Sequence, residues 1–210
     1  MFTLYTTTLS ANGRKPLALC RALFLQPEIR RVNVYAGEGR TAEFLAVNPL
    51  GKVPALVDGE FTLTESNAIL IYVAEQYGGS RFWSTQPAGR AEILRWLFWE
   101  SSAWQPALTA VLAACVGHRL LPQVVPAPDA PPDWKSAQLA PALAHLDAGL
   151  AGRAFLCGAE PTLADLSVAG MTTYFRFAGF PANDWPNVAS WLARVESLEA
   201  WQASLDPLWR

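Results

Sequence analysis

Through its first 78 residues the chain alternates between short apolar runs and segments in which apolar positions recur with a helical period. The apolar runs Phe2–Tyr5 and Val32–Tyr35 predict two β-strands. A helix is predicted from Gly13 until Pro27, because proline ends a helical pattern. The apolar positions that can share the buried face of this helix are Leu17, Cys20, Ala22, Leu23 and Phe24.

A β-hairpin is the strongest local signal in the sequence. The apolar runs Val53–Val57 and Phe61–Leu63 flank Asp58-Gly59, a pair that favours a tight turn because both turn positions require a positive φ. A short helix over residues 41–45 precedes the hairpin, and a third helix begins after it at Glu65-Ser66. The resulting order β-α-β-α-β-β-α has the length of a thioredoxin-like unit.

After residue 78 the pattern becomes helical. A long helix is predicted from Arg90 to about Leu121, and Pro122–Pro132 is predicted to be a loop because its five prolines would break a helix. The two unlike halves predict an α/β domain over residues 1–78 and an all-α, all-helical domain over residues 88–210, joined by a linker over residues 79–87. The remaining predicted helices are Trp134–Leu150, Leu163–Phe177 and Asn187–Leu205.

Composition narrows the classes of protein that remain. Hydrophobic residues make up 51% of the chain and charged residues 16%, which indicates a large buried core rather than disorder. A net charge of −2 disfavours a nucleic-acid partner. The three cysteines are scattered, without the spacing of metal ligands, so we expect no metal and a reducing compartment. Without a signal peptide or a membrane-spanning run, we expect a cytoplasmic protein with no membrane partner.

The segment Ser10-Ala11-Asn12-Gly13-Arg14-Lys15 could carry chemistry at the junction of the first strand and the first helix. A hydroxyl at a helix N-terminus can donate a hydrogen bond to a thiolate, and the helix dipole adds to that stabilisation. Alternatively, Ser10 or Asn12 caps the helix and has no chemical role. The spacing of these residues leaves both interpretations open.

A second candidate site begins the third helix, where Glu65-Ser66 follows the hairpin. The first N–H groups of a helix favour an anion, and a carboxylate beside them favours a cation. A ligand that carries both an ammonium and a carboxylate would therefore fit this position.

The run V-P-A-L from Val53, followed by the hairpin and by E-S-N-A-I from Glu65, resembles the glutathione-binding half of the cytosolic glutathione transferases. This resemblance implies that Pro54 is a cis-proline and that Glu65 and Ser66 bind the γ-glutamyl end of glutathione. It also implies that Lys52 contacts the glycyl end, while the backbone of Val53 exchanges hydrogen bonds with the peptide.

The motif S-A-N-G-R-K from Ser10 is similar to S-T-N-x-x-R of the phi class and to T-P-N-G-x-K of the bacterial nu class. By this resemblance Ser10 and Asn12 are the catalytic residues that stabilise the glutathione thiolate. Tyr5 is a rival, because other classes use a tyrosine near the end of the first strand. The family's fourth helix contributes to the second-substrate pocket, so Trp104 is expected there, and Tyr5 is placed there as well.

These observations predict a glutathione transferase that activates the thiol of glutathione, its co-substrate, for attack on a small hydrophobic electrophile. The family resemblance further predicts a homodimer. Two alternatives remain: a glutathione-dependent disulfide reductase of the nu type, and a non-catalytic binding protein with the same fold.

Overall fold

The computed structural model describes residues 1–78 and 81–209 and contains a mixed sheet of four strands in the order β2-β1-β3-β4. Strands β1 and β2 are parallel, whereas β3 pairs antiparallel with both β1 and β4. The Val53–Pro54 peptide, immediately before β3, is cis, which confirms the prediction for Pro54. The strands are β1 (Thr3–Thr6), β2 (Glu28–Arg31), β3 (Ala55–Asp58) and β4 (Phe61–Thr64).

Helices cover both faces of this sheet. Because successive side chains of a strand point to opposite faces, neighbouring residues of β1 enter different cores. Leu4 belongs to the large core with α1 and α3, whereas Tyr5 belongs to a small core that includes Phe44 of α2. The predicted thioredoxin-like order is thereby confirmed. The helices are α1 (Ala11–Ala22), α2 (Ala42–Val47) and α3 (Ser66–Val73).

The second strand lies earlier than the sequence predicted. Strand β2 covers Glu28–Arg31, and all four of its residues are exposed, because it is an edge strand that pairs with β1 alone. It therefore lacks the apolar pattern on which a strand prediction depends. The predicted strand Val32–Tyr35 instead contains a 3₁₀ turn over Val34–Ala36, where the Asn33 side chain accepts hydrogen bonds from the N–H groups of Tyr35 and Ala36.

Two other local predictions differ from the structure in where an element ends. Asp58 pairs with Phe61 as the last residue of β3, so the turn contains Gly59, which has the positive φ. Helix α1 ends at Ala22, well before Pro27, in a Schellman motif whose left-handed residue is Phe24. The Phe24 side chain is 86% exposed, so its predicted place on the buried face of α1 is wrong.

The C-terminal part of the described chain is helical. Helices α4 and α5 are joined by a π-helical segment over Glu100–Trp104, so the long predicted helix is one nearly continuous rod with an irregular centre. The proline-rich segment 122–132 contains no helix or strand, as predicted. The helices are α4 (Pro87–Trp99), α5 (Gln105–Leu120), α6 (Ala140–Gly149), α7 (Leu163–Thr172), α8 (Phe175–Ala178), α9 (Pro186–Ser197) and α10 (Glu199–Ala203).

Helix α7 is the centre of the helical part and is buried along its whole length. Its first turn is held by Asp165, a buried carboxylate that accepts hydrogen bonds from the N–H groups of Leu156 and Thr162 and from Nε1 of Trp191. These contacts join three segments of the chain, which fits a folding role. No helix of the described residues is long and apolar enough to span a bilayer.

We propose that the chain divides into domains at residues 1–78 and 88–210. Of the predicted linker 79–87, Gly79 and Ser80 lie outside the described residues, as does Arg210 at the end of the second domain. Helix α4 begins at Pro87, one residue before the predicted boundary. The large core runs through both parts, because α1 packs on α3 and on α7.

Candidate functional site

A cavity of about 470 Å³, here called the first cavity, lies where the loop before β3, the start of α3 and the α4–α5 rod meet. It gathers most of the residues that the sequence predicted for ligand binding. Those lining it are Asn12, Lys52, Val53, Pro54, Glu65 and Ser66.

The loop that enters the cis peptide is held by a buried amide. The side chain of Asn48 donates a hydrogen bond to the carbonyl oxygen of Lys52 at 2.6 Å and accepts one from the N–H of Leu50 at 3.1 Å. These bonds fix the main chain immediately before Val53, while the Lys52 side chain stays exposed at the cavity. Asn48 also lines this cavity, although no motif in the sequence marked it.

The start of α3 presents both kinds of charge to the first cavity. Glu65 precedes the helix with a φ of +67°, an unusual conformation for a residue with a side chain, which costs of order 1–3 kcal/mol. Its carboxylate is exposed and makes no capping bond to α3. The first N–H groups of the helix are therefore available to an anion beside a carboxylate that can bind a cation.

An ion pair is buried directly beneath this position. Nζ of Lys15 lies 2.8 Å from Oε1 of Glu100, and the two side chains are 0% and 1% exposed. The same ammonium lies 3.5 Å from Oγ of Ser66. Burial lowers the pKa of Lys15, and the neighbouring Glu100 carboxylate opposes that shift. The pair thus connects α1 and the π-helical segment to the first turn of α3.

Two further side chains complete this buried network. Asn67 donates hydrogen bonds to Oε2 of Glu100 and to the carbonyl oxygen of Leu97, each at 3.0 Å. Its own carbonyl oxygen accepts a hydrogen bond of 2.7 Å from Ser167 of α7. The π-helical segment turns Glu100 toward this network, a use that agrees with the frequent occurrence of π-helical turns at functional sites.

Ser10 is the N-cap of α1, and its Oγ accepts a hydrogen bond from the N–H of Gly13 at 3.2 Å. The cap uses a lone pair of the hydroxyl and leaves its proton free to be donated. The capping role and the thiolate-stabilising role predicted from the sequence are therefore compatible, because they use different parts of the same hydroxyl.

Asn12 lines the first cavity and also a second cavity of about 320 Å³. Its Nδ2 donates a hydrogen bond of 3.2 Å to Oε1 of Gln105, a residue that lines both cavities as well. Among the described residues, the buried Oδ1 of Asn12 has no hydrogen-bond partner. The Asn12–Gln105 pair therefore marks the junction of the two cavities, with Ser10 on the side of the second.

The second cavity is walled largely by aliphatic side chains of α5. Tyr35 and Tyr174 bring phenol groups into it from the two halves of the chain, and no charged residue is among the described residues that line it. Among residues 1–78 and 81–209, no cluster of His, Cys, Asp or Glu could hold a metal ion. The aliphatic residues are Leu112, Ala113, Val116, Leu120 and Leu121.

Trp104 and Tyr5 line neither cavity, so their predicted place in a substrate pocket is corrected. Trp104 is 0% exposed, because its ring packs in the core and its Nε1 donates to the carbonyl oxygen of Val168 at 3.0 Å. The Tyr5 hydroxyl accepts a hydrogen bond from Arg30 at 3.0 Å, and its ring packs on Phe44. Tyr5 therefore lies on the opposite face of the sheet from the large core.

Comparison with known protein families agrees with this arrangement. Residues 1–75 match the family model described as the N-terminal domain of glutathione S-transferase, and residues 132–194 match its C-terminal domain. The chain is 33% identical over 197 residues to glutathione S-transferase GstB of Escherichia coli, covering 93% of each chain. It is 33% identical over 178 residues to human glutathione S-transferase theta-2B, covering 81% of this chain and 70% of that protein.

A solved structure shows the same architecture over the whole chain. A delta-class glutathione transferase of Nilaparvata lugens superposes with a TM-score of 0.84 at 26% identity, covering 100% of this chain and 95% of the other. Together with the two matched domains, this comparison identifies a two-domain protein of the glutathione transferase type. The chain belongs to the glutathione transferase family.

Proposed function

We propose that the first cavity binds glutathione and that the second cavity holds the electrophile that its sulfur attacks. The observation that carries this proposal is that Lys52, Val53, Glu65 and Ser66 line one cavity. That cavity shares the lining residues Asn12 and Gln105 with the second cavity. In this arrangement Glu65 binds the γ-glutamyl ammonium, and the start of α3 with Ser66 binds the adjacent carboxylate.

The other end of the tripeptide is placed at Lys52, which lines the same cavity as Glu65. Lys52 pairs with the glycyl carboxylate, and the main chain of Val53 exchanges hydrogen bonds with the cysteinyl residue. The sulfur then lies at the junction of the cavities, where the Ser10 hydroxyl donates a hydrogen bond to the thiolate. Besides the N–H that it donates to Gln105, the Asn12 amide carries a second N–H, which donates a hydrogen bond to the sulfur.

The chemistry is a transfer of the glutathione sulfur. A thiol titrates near a pH of about 8.5, so stabilising its anion raises the fraction of nucleophile at neutral pH. The thiolate forms a bond to an electrophilic carbon in the second cavity, and the electron pair of the broken bond leaves with the displaced group or shifts along the substrate. We place the protein in the cytoplasm and propose no nucleic-acid or membrane partner.

A second candidate function is glutathione-dependent reduction of a disulfide. Asn12 at the cavity junction favours it, because A-N-G-R-K is similar to the P-N-G-x-K part of the nu-class motif. The similarity to the nu and phi classes is part of this proposal. A non-catalytic binding protein is the third possibility. Assays with glutathione and either an alkyl halide or a small disulfide separate the three, since a binding protein turns over neither.

Replacing Glu65 with alanine is expected to weaken glutathione binding by about 1–3 kcal/mol, because the ligand ammonium loses a charged partner. Isothermal titration calorimetry measures this loss. Glu60→Ala is the matched control, since Glu60 is an exposed glutamate in the neighbouring hairpin turn and lies outside the cavity. Equal affinities of the Glu65→Ala variant and the wild type would place the γ-glutamyl site elsewhere.

We also propose that the protein is a homodimer whose interface covers the outer rim of the first cavity. Large apolar side chains are exposed there, because Phe98 of α4 is 68% exposed and Leu50 is 57% exposed. Light scattering at micromolar concentration is expected to give twice the 22.9 kDa mass of one chain. Phe98→Glu is expected to shift the mass toward the monomer, whereas a wild-type monomer would contradict the proposal.

A further inference from the structure

A third cavity lies where α1 meets the C-terminal helices. It has a volume of about 320 Å³, and residues of α1, α7, α8, α9 and α10 line it. None of its described lining residues lines the first or the second cavity. A ligand bound in the third cavity would therefore be distinct from glutathione and from the electrophile.

Arg14 of α1 brings a buried positive charge to the third cavity. Its side chain is 3% exposed, and Cζ of its guanidinium lies 3.8 Å from the centroid of the Trp201 ring. The guanidinium donates hydrogen bonds to Oγ of Ser204 at 3.0 Å, to Oγ1 of Thr173 at 2.9 Å and to the carbonyl oxygen of Trp201 at 2.7 Å. All three acceptors are uncharged. No carboxylate of the described residues forms an ion pair with Arg14.

The hydrogen bonds of Arg14 do not replace a counter-ion. Removing a charge from water is costly unless an opposite charge compensates for the lost hydration, and the aromatic ring supplies only part of that compensation. Burial lowers the pKa of Arg14 to about 9, and the Glu196 carboxylate opposes that shift. Arg14 therefore keeps its charge at neutral pH. Three of its five N–H donors are used, so two remain for a ligand.

Two further side chains add donors to the same cavity. Arg176 of α8 is exposed and brings a second guanidinium, which forms no ion pair with a described residue. Trp209 is 1% exposed, and its buried Nε1 has no hydrogen-bond partner among the described residues. Glu196 is the single acidic residue among the described lining residues. The described lining thus has an excess of positive charge and of N–H donors.

We propose that the third cavity binds a small oxyanion, carried as a phosphate or a carboxylate group, which accepts hydrogen bonds from Arg14 and Arg176. The fork of N–H donors on a guanidinium matches the oxygen atoms of both groups. A neutral ligand would leave the buried charge of Arg14 uncompensated, and a cation would be repelled. Since Arg14 bonds to the ends of α7 and α10, the anion stabilises the packing of α1 against the helical part.

The test measures the midpoint of thermal unfolding as inorganic phosphate or succinate replaces chloride at constant ionic strength. An anion that binds only the folded protein raises the midpoint with a saturable concentration dependence. We expect such a rise for the wild type, and the comparison of phosphate with succinate shows which of the two groups the cavity prefers. No rise with either anion, or a rise that chloride reproduces, would overturn the proposal.

Variants locate the bound anion. Arg14→Gln is expected to raise the dissociation constant for phosphate or succinate about tenfold to a hundredfold, as for loss of a hydrogen bond to a charged group. Arg176→Gln should raise it about twofold to fivefold, because an exposed charge contributes less, and it decides the question if Arg14→Gln does not fold. Arg31→Gln is the matched control and should change nothing, since Arg31 is an exposed arginine of β2 outside the third cavity.

The first cavity is the rival location for an added anion, because Lys52 and the start of α3 also attract negative charge. Lys52→Gln should keep the phosphate effect if the anion lies in the third cavity. Loss of the effect in Lys52→Gln but not in Arg176→Gln would place the anion in the first cavity and overturn the proposal. In crystals soaked with selenate, an anomalous selenium peak beside Arg14 would support it directly.

Discussion

Removing the Ser10 hydroxyl is expected to lower turnover at neutral pH by about tenfold to a hundredfold. A hydrogen bond to a charged group contributes about 1.5–3 kcal/mol, and about 1.4 kcal/mol corresponds to a factor of ten in rate. Losing a donor to the thiolate raises the pKa of bound glutathione, because the charged form alone used that bond. The difference in turnover between the variant and the wild type should therefore narrow as pH rises, because bound glutathione then ionises in both proteins. Stopped-flow rates across a pH series measure it.

Two replacements of Ser10 separate catalysis from helix capping. Alanine removes both the donor and the acceptor of the Gly13 N–H, so Ser10→Ala should also lower the free energy of unfolding by about 0.5–2 kcal/mol. Glycine at an N-cap costs only about a few tenths of a kcal/mol, so Ser10→Gly removes the donor with little loss of stability. If Ser10 only caps α1, the glycine variant should keep its activity.

A variant of Asn12 tests whether this residue supports Ser10 in stabilising the thiolate, and a variant of Tyr5 serves as the control. Asn12→Ala should lower turnover less than the Ser10 variants if it supports the sulfur, while glutathione affinity changes little. Tyr5→Phe should be neutral, because the Tyr5 hydroxyl bonds to Arg30 and lines neither cavity. An inactive Tyr5→Phe beside an active Ser10→Ala would assign the chain to the classes that use a tyrosine.

The second large effect is expected in stability. Lys15→Met should lower the free energy of unfolding by about 3–5 kcal/mol, because it leaves the Glu100 carboxylate buried without its cation. The aliphatic stem of Lys15 packs against Gly170: a Cβ atom added to Gly170 would lie 2.4 Å from Cε of Lys15. Methionine is chosen because it keeps an unbranched side chain in this space. Denaturant unfolding measures the loss. Glutathione affinity should fall as well, because Ser66 loses a contact.

A double variant and an exposed pair make this prediction specific. Lys15→Met combined with Glu100→Gln should recover much of the loss, because the second change removes the unpaired charge. Lys135→Met is the control: the Lys135–Asp184 pair has a similar distance of 3.0 Å but is exposed, so its loss should cost at most about 1 kcal/mol. Similar losses of unfolding free energy for Lys15→Met and Lys135→Met would show that burial does not determine how much the Lys15–Glu100 pair stabilises the protein.

The sequence by itself determined the features that depend on neighbouring residues. The hairpin with its glycine turn, the capped start of α1 and the proline-rich loop follow from local backbone preferences. The residues at the two ends of the motif from Val53 to Ser66 line one cavity, because a short hairpin leaves few ways to connect them. The edge strand β2 was placed wrongly, because its exposed residues carry no apolar pattern.

Tertiary structure alone decided the contacts between distant segments. The pairs Lys15–Glu100 and Asn12–Gln105 form because α1 packs against the helical part. Tyr35, in the turn after β2, and Tyr174 line the same cavity although they are distant in the sequence. The apolar pattern predicts a strand at Tyr35, whereas the structure has a 3₁₀ turn there. Periodicity indicates which face of a helix is buried, but not which partner covers that face. A lysine that is buried in an ion pair cannot be distinguished in the sequence from a solvated lysine.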